Sequence, residues 1–109
     1  MKMIIAIIRP EKFDAVKQAL SEKEYFGMTV TDVYGRGEQR GVCLQYRGKP
    51  ISVDVIQKTE IKITVTDEDA DEVVGIIQNT ARSGKIGDGR IFVIPVEKTI
   101  TIRTGETLY

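Results

Sequence analysis

The sequence predicts an α+β fold in which two β-α-β units are joined by a long connection. The order strand, helix, strand occurs both before and after the stretch from Gly35 to Ile56, which carries four glycines. Connections of that length are uncommon in compact domains, where most span about 4 to 6 residues, and they are usually functional or disordered. The chain of 109 residues fits a single domain, 1–109, so function is sought first in this connection.

The first unit begins with an apolar run, Met3–Ile8, which predicts a strand ending near Arg9. The residue before a proline favours extended backbone, and Pro10 itself suits a first helical turn. Apolar residues then recur at helical spacing until Gly27 (Phe13, Val16 and Leu20). Met28–Tyr34 is rich in Thr, Val and Tyr, which predicts a second strand that stops at the long connection.

The second unit starts at Lys58, from which polar and apolar residues alternate to Val65 as in a half-buried strand. Thr66 is a predicted helix N-cap, and acidic residues follow it where the helix dipole is positive. The helix is predicted from its apolar stripe, and Gly84 is placed to close it. The stripe consists of Ala70, Val73, Val74, Ile77 and Ala81.

Arg90–Val96 predicts the fourth strand, in which Pro95 indicates an edge or strand-end position. Alternation at Ile100 and Ile102 suggests a short fifth strand. This order is that of a ferredoxin-like split βαβ-βαβ sandwich, with both helices on one face of a four-stranded sheet. The first and fourth strands do not alternate, which predicts burial on both faces. Because two helices cover only one face, we expect other subunits to cover part of the second.

The composition excludes several classes of function. Lys plus Arg and Asp plus Glu balance at 16 each, so no net charge draws the chain to nucleic acid or to an anionic membrane. The chain has no histidine and one cysteine, Cys43, which excludes zinc sites built from His and Cys, Ser-His triads and Cys-His dyads. The opening segment lacks a cleavage site, and no apolar run reaches the roughly 18 residues that span a bilayer. We therefore expect a cytoplasmic protein that binds no nucleic acid.

The long connection has the pattern of a projecting hairpin. Alternating apolar residues mark its two sides: Val42, Leu44 and Tyr46 on one, and Ile51, Val53 and Val55 on the other. Between them, Arg47-Gly48-Lys49-Pro50 is rich in turn formers and supplies a cationic tip. A solvated hairpin without a partner is the plain alternative, but the length of the connection favours a recognition arm.

Two glycine clusters are candidates for ligand contact. Gly35–Gly41 has the spacing GxGxxxG with no helical pattern after it, so it is not a dinucleotide fingerprint. Ser83–Arg90 is not a Walker loop, but its small residues can expose backbone N–H groups as an anion-binding concavity, to which Lys85 and Arg90 add charge. A glycine cap followed by a tight turn is the alternative for this second cluster.

The second cluster and the strand after it, Gly87–Val96, closely resemble the C-terminal signature of the PII nitrogen-regulatory signal proteins. The resemblance covers nearly the whole chain, through the segments Ile7–Pro10, Gly27–Val30, Gly35–Gly41, Tyr46–Gly48 and Arg103–Glu106. Gly35–Gly41 and Gln57–Thr59 are similar to archaeal members. The tip Tyr46–Gly48 is similar to the branch of the family that shuts ammonium transporters.

The resemblance implies a homotrimer that binds ATP or ADP in the clefts between subunits. Residues 35–56 would be the family's T-loop, called the long hairpin below, and 82–90 its B-loop, called the glycine loop. A C-terminal segment, 99–109, would reach into the site. Gln39 and Lys58 match positions that the family uses for 2-oxoglutarate, with Gln39 also near the magnesium of Mg-ATP. The implied nucleotide-binding residues are Thr29, Gly35, Arg36, Gly37, Glu38, Gln39, Thr64, Gly87, Asp88, Gly89, Arg90 and Arg103.

The sequence departs from the family at some of these positions. Glu38 and Thr101 stand where arginine is common, which removes two candidate phosphate contacts, each worth on the order of 1.5 to 3 kcal/mol. The candidates to compensate are Arg36, Arg40 and Lys62. Lys62 stands where glutamate is common, so it adds positive charge near the site but also repels Lys58.

The tip of the hairpin departs from the family as well. Ile51 and Lys49 stand where other members carry a tyrosine and a serine that are covalently modified, so we expect ligands to control the hairpin and no covalent modification. The implied partner-binding residues are Tyr46, Arg47 and Gly48, with Arg47 entering the cytoplasmic pore of an ammonium transporter. Packing is the alternative for Tyr46, and an ordinary exposed charge is the alternative for Arg47.

The resulting hypothesis is a non-enzymatic signal protein that senses ATP or ADP and 2-oxoglutarate, and that binds and inhibits an ammonium transporter at the inner face of the membrane. A related regulator of glutamine synthetase or nitrogenase is the alternative within the family. A nucleotide-using enzyme on the same fold, such as a nucleoside diphosphate kinase, is disfavoured because that chemistry uses a histidine nucleophile. An RNA-binding module is disfavoured because strand aromatics for base stacking and a basic face are lacking.

Overall fold

The structure, a computed structural model, describes residues 1–36, 42–46, 49–53 and 55–109, with 42–46 and 49–53 described by their backbone. The first half contains β1 (Lys2–Ile8), a 3-10 turn (Pro10–Lys12), α1 (Phe13–Glu22) and β2 (Thr29–Gly35). The long hairpin contributes β3 (Val42–Tyr46) and β4 (Lys49–Val53). The second half contains β5 (Ile56–Val65), α2 (Asp67–Ala81), β6 (Gly89–Pro95), β7 (Thr99–Ile100) and β8 (Thr107–Leu108).

Four of these strands form one antiparallel sheet in the order β2-β5-β1-β6. The first strand of each unit lies in the centre and the second lies at an edge, which is the split arrangement that the sequence predicts. The register sets Ile4 opposite Ile63 on one side and opposite Val93 on the other. The ferredoxin-like α+β fold is therefore confirmed.

One face of the sheet carries the hydrophobic core and both helices. Alternate residues of β1 and β5 are buried there, as the predicted period of β5 requires, and the apolar stripes of α1 and α2 pack on them. The core residues are Ile4, Ala6, Ile8, Val16, Leu20, Ile61, Ile63, Val65, Ala70, Val73, Ile77 and Ala81. Both helices thus stabilise the sheet from the same side, as predicted.

The opposite face, called the open face below, is apolar along β1 and β6. Ile5 lies opposite Phe92 and Met3 lies opposite Ile94, and the two β6 side chains are 42% and 43% exposed. Neither α1 nor α2 packs on this face, because both helices contribute to the core on the other side. Packing within the single chain therefore explains the apolar residues on only one face of β6. That other subunits cover the second face stays a prediction.

Helix α1 ends at Glu22, before the position that the sequence predicts. Glu24 adopts a left-handed conformation with a φ of 66°, its N–H donates to the Ser21 carbonyl, and the Tyr25 N–H donates to the Leu20 carbonyl at 3.0 Å. These two bonds form a Schellman motif, and Tyr25 packs on the core beside it. Glycine is the usual residue at the left-handed position, so the pattern favours Gly27, and Glu24 carries no sequence signal for a helix end.

Helix α2 begins as predicted and ends differently. The Thr66 hydroxyl accepts a hydrogen bond from the Asp69 N–H at 3.3 Å, which confirms the N-cap. The helix stops at Ala81, and Arg82 leaves it in an extended conformation with a ψ of 128°. Gly84, with a φ of 86°, therefore does not cap the helix but belongs to the glycine loop.

The last strands also refine the prediction. β6 lies at the edge of the sheet and ends at Pro95, in the position that a missing N–H allows. β7 pairs with β8 in a separate C-terminal hairpin, and Ile102 lies in its turn, 99% exposed, so Ile102 does not continue a strand. No helix in the described part of the chain is long and apolar enough to cross a bilayer.

The predicted hairpin is present as the pairing of β3 with β4. The register places Tyr46 opposite Lys49 and Gln45 opposite Pro50. Lys49 and Pro50 therefore belong to a strand, and the connection between the two strands is shorter than the predicted four-residue tip. Arg47 and Gly48 lie outside the described residues.

Replacing Gly89 by alanine is expected to destabilise the fold. A Cβ at this position would lie 1.8 Å from the Ile7 carbonyl oxygen, and the φ of 102° is itself unfavourable for a side chain. The matched control is Gly84→Ala, because Gly84 has a φ of 86° but nothing within 4 Å of its Cβ position. The control should lose about 1–2 kcal/mol from backbone strain, and Gly89→Ala a further ~1–3 kcal/mol from the forced separation.

The measurement is urea unfolding of both variants and the parent protein at one protein concentration. Equal losses in the two variants would show that the contact between Gly89 and Ile7 does not constrain the chain.

Candidate functional site

A cleft opens where the glycine loop meets the end of the sheet. Its volume is about 480 Å³, and its walls come from the ends of β1, β2, β5 and β6 together with the loop. The predicted site residues that line it are Gly35, Arg36, Lys58, Gly87, Asp88, Gly89 and Arg90. The structure thus brings the predicted base of the long hairpin, the predicted effector lysine and the glycine loop into one place.

The strand register explains why charged residues meet at this end. Ile8 of β1 lies between Thr59 of β5 and Gly89 of β6. The next position along each chain places Arg9 between Lys58 and Asp88. Arg9 donates from Nε to Asp88 Oδ1 at 3.1 Å, so the two side chains form an ion pair across the strand ends. The pairing of the strands therefore brings the charges of Lys58, Arg9 and Asp88 side by side.

Asp88 organises the glycine loop through its carboxylate. Oδ2 accepts the N–H groups of Ser83 and Gly84, each at 2.9 Å, and Oδ1 accepts the Ser83 hydroxyl as well as Arg9 Nε. The hydroxyl of Ser83 and the other three donors favour the charged form, and they hold the pKa of Asp88 well below the usual value. The side chain is therefore directed into its own loop.

Arg9 is a site residue that the sequence analysis missed. Besides its bond to Asp88, its Nη2 donates to the Ile86 carbonyl at 2.7 Å, so one guanidinium ties two points of the glycine loop to the end of β1. The only signal in the sequence is its place before Pro10 at the end of an apolar run. That position indicates a strand end, but it does not reveal which loop the strand end faces.

The loop presents backbone donors to the cleft. Within the described part of the chain, the N–H groups of Ile86 and Gly87 donate to no other group; these two residues form a turn, and Gly87 has a φ of 98°. Successive free N–H groups beside a left-handed residue form a concavity that binds anions. The cationic side chains of Lys58 and Arg90 line the same cleft. The arrangement suits a phosphate-bearing ligand. Because residues 86 and 87 also form the tight turn of the alternative interpretation, the anion-binding concavity stays a prediction.

Lys58 links the loop to β5. Its ammonium donates to the carbonyl of Gly87, the residue whose own N–H is one of the free donors of the loop. Burial in the cleft lowers the pKa of Lys58, and the positive charge of Arg9 lowers it further. The carboxylates of Glu11 and Asp88 act in the opposite direction, but the net effect is still a lowered pKa of Lys58.

The other described residues of the predicted nucleotide set lie away from the cleft in the single chain. Thr29 and Thr64 are exposed on the open face at the other end of the sheet, and Lys58 and Thr64 are about 20 Å apart at about 3.3 Å per residue of strand. Arg103 is exposed on the C-terminal hairpin and does not line the cleft. The described nucleotide-binding residues thus divide into those that line the cleft and those that lie elsewhere on the chain, which are called the second group below.

Several predicted residues cannot be placed. Gly37, Glu38, Gln39 and Arg40 lie outside the described residues, and for Tyr46 only the backbone is described, in β3. Lys62, a predicted compensating cation, pairs with Glu60 on the open face at 3.3 Å. Among the residues that the structure describes, no three carboxylate, thiol or imidazole groups lie close enough together to hold a metal ion.

Known proteins resemble this chain over almost its full length. Residues 1–106 match the sequence model of a family described as "Nitrogen regulatory protein P-II". The chain is 51% identical over 107 residues to "Nitrogen regulatory protein P-II 2" of Methanothermobacter thermautotrophicus, covering 98% of this chain and 93% of the relative. It is 52% identical over 106 residues to "Nitrogen regulatory protein P-II" of Klebsiella oxytoca, covering 97% of this chain and 95% of that relative.

The hydrogen bonds of Asp88 predict an unusual resistance of the glycine loop to acid. Because the folded pKa of Asp88 is lowered, its contribution to stability is complete above the unfolded value of about 3.9 and is lost only as the pH falls through the lower folded value. In ¹H–¹⁵N spectra recorded from about pH 5 to about pH 3, the Ser83 and Gly84 amide signals should keep their positions. A shift of both signals with a midpoint near the ordinary aspartate value would contradict the carboxylate contacts.

Proposed function

The chain belongs to the nitrogen regulatory protein P-II family, and from this premise we propose that it is a trimeric signal protein that binds ATP or ADP between its subunits. Members of this family are signal-transduction regulators and not enzymes, and they act on partner proteins. The observation that carries the nucleotide proposal is the cleft, in which unpartnered N–H groups of the glycine loop lie beside Lys58 and Arg90. Such a set of donors and charges matches the phosphates of a nucleotide.

The division of the predicted residues supports a site between subunits. One group, around Gly87 and Arg90, lines the cleft, while Thr29, Thr64 and Arg103 lie elsewhere on the same chain. Two copies joined through the apolar open face could supply one group each. The exposed Phe92 and Ile94 give that contact a hydrophobic driving force.

We extend the proposal to 2-oxoglutarate bound with Mg-ATP. Lys58 is the described residue that supports it, because its ammonium lies in the cleft with no carboxylate bonded to it among the described side chains. A dicarboxylate would replace the Gly87 carbonyl as the acceptor of this ammonium. Gln39, the proposed ligand of both the magnesium and the effector, lies outside the described residues.

The proposed output is the long hairpin, which would carry Tyr46, Arg47 and Gly48 to an ammonium transporter at the inner face of the membrane and inhibit it. Glutamine synthetase is a further possible partner. The protein would be cytoplasmic and recruited to the membrane by its partner. The mechanism is linkage: a ligand that contacts the cleft and Lys58 favours one arrangement of the adjoining hairpin by its differential affinity.

The nucleotide proposal predicts complementation between two defective variants. Arg90→Ala removes a charge from the cleft and Arg103→Ala removes one from the second group, so each should weaken ADP binding by roughly tenfold or more. When the two variants are unfolded together and refolded as mixed oligomers, roughly a quarter of the sites should combine the intact halves of two subunits. Calorimetry would then detect that fraction of sites at the parental affinity.

Lys98→Ala is the matched control, because Lys98 is exposed and lines no part of the cleft. It should bind ADP as the parent does. Two outcomes would count against the proposal: no ADP binding by the parent protein, or no recovery of sites in the mixed oligomers, which would place the site within one subunit.

The transporter proposal predicts a specific effect of Arg47→Ala. The variant should lose co-purification with the cognate ammonium transporter and should no longer inhibit it, while ADP affinity is unchanged. Lys49→Ala, which removes a neighbouring cation of the same hairpin, serves as control and should retain both properties. If Arg47→Ala still binds and inhibits the transporter, Arg47 has no part in the mechanism.

A further inference from the structure

An acidic side chain in an anion-binding cleft needs an explanation. Asp88 lines the cleft together with Lys58 and Arg90, and its negative charge by itself opposes the binding of phosphate. Its oxygens, however, face four donors of the protein: the N–H groups of Ser83 and Gly84, the Ser83 hydroxyl and the guanidinium of Arg9. The carboxylate is thus engaged within the loop and is not presented to a ligand.

These contacts fix the loop at both ends. Asp88 fastens residues 83 and 84, and Arg9 fastens Asp88 itself and the Ile86 carbonyl at 2.7 Å. Between these fixed points, in the described chain, the N–H groups of Ile86 and Gly87 have no acceptor. The charged contacts therefore hold the loop in an arrangement that leaves these two donors together.

We propose that Asp88 and Arg9 are positioning residues of the glycine loop, which increase its affinity for phosphate groups by holding its backbone donors in place and not by touching the ligand. This inference rests on the proposed function, because the phosphates belong to the proposed nucleotide. It differs from the role that resemblance implies for Asp88, which is direct contact with the nucleotide.

A purely through-space effect of the Asp88 charge and a positioning role predict opposite changes in anion affinity for Asp88→Asn. If the charge of Asp88 acts only through space, Asp88→Asn removes a repulsion and tightens anion binding. If Asp88 positions the loop, the same substitution loses the charge-assisted bonds and weakens anion binding by roughly tenfold. Asparagine is almost the same size as aspartate and keeps one carbonyl oxygen, so the change tests the charge and not the volume.

The experiment measures the affinity for ADP and for pyrophosphate by calorimetry with EDTA present, which removes any contact through a metal ion. Glu11→Gln is the matched control, because Glu11 is exposed and near enough to Lys58 for its charge to act on that ammonium, yet it makes no bond to the loop. Its affinity for both anions should be equal to that of the parent or slightly higher.

A second readout separates positioning from contact. In ligand-free Asp88→Asn, the amide signals of Ser83 and Gly84 should move while those of the core residues Ile4 and Ile61 stay in place. Weaker binding together with moved loop signals supports the proposal. Weaker binding with unmoved loop signals, or binding as tight as that of the parent, overturns it and leaves the proposed function standing. Failure of the parent protein to bind either anion overturns both.

Discussion

The close approach of Gly89 to the carbonyl of Ile7 is the constraint on which the candidate site depends. A side chain at residue 89 would collide with the Ile7 carbonyl, so only glycine lets the start of β6 pair with the end of β1. This pairing anchors the glycine loop on the sheet. The register then places Arg9 beside Asp88 and Lys58 without any further device. The chemistry of the cleft is therefore set by strand pairing, and the loop residues complete it.

Strand β5 connects the functional parts of the chain. It begins at Ile56, at the foot of the long hairpin, passes through the cleft at Lys58 and continues to Thr64 on the far part of the open face. Ile61 and Ile63 of the same strand are buried under the helices and belong to the hydrophobic core. A ligand that bound Lys58, as proposed, would act within two residues of the hairpin base, on a strand that packs against the core. This short path makes linkage between ligand and hairpin physically direct.

The architecture could be predicted from the sequence because each of its signals is local. A few neighbouring residues are enough to indicate the alternation of β5, the helix N-cap at Thr66 and the end of β6 at Pro95. The end of α1 could not be predicted, since Glu24 takes a conformation that the pattern assigns to glycine. Within the site, Gly87 and Arg90 were recognisable, but Arg9 was not, because its partners are 77 and 79 residues away in the chain.

The proposed division of the site between subunits links assembly to ligand sensing. Each chain carries both groups of predicted residues, so in the proposed assembly a closed ring would complete one site per subunit and a single chain would complete none. A nucleotide that binds only the assembled form stabilises that form in proportion to RT ln(1 + [L]/Kd). Conversely, loss of apolar contact at Ile94, which lines no part of the cleft, would weaken nucleotide binding although every residue of the cleft is intact. The apolar open face then serves sensing as well as stability, because it is the surface on which the two groups meet.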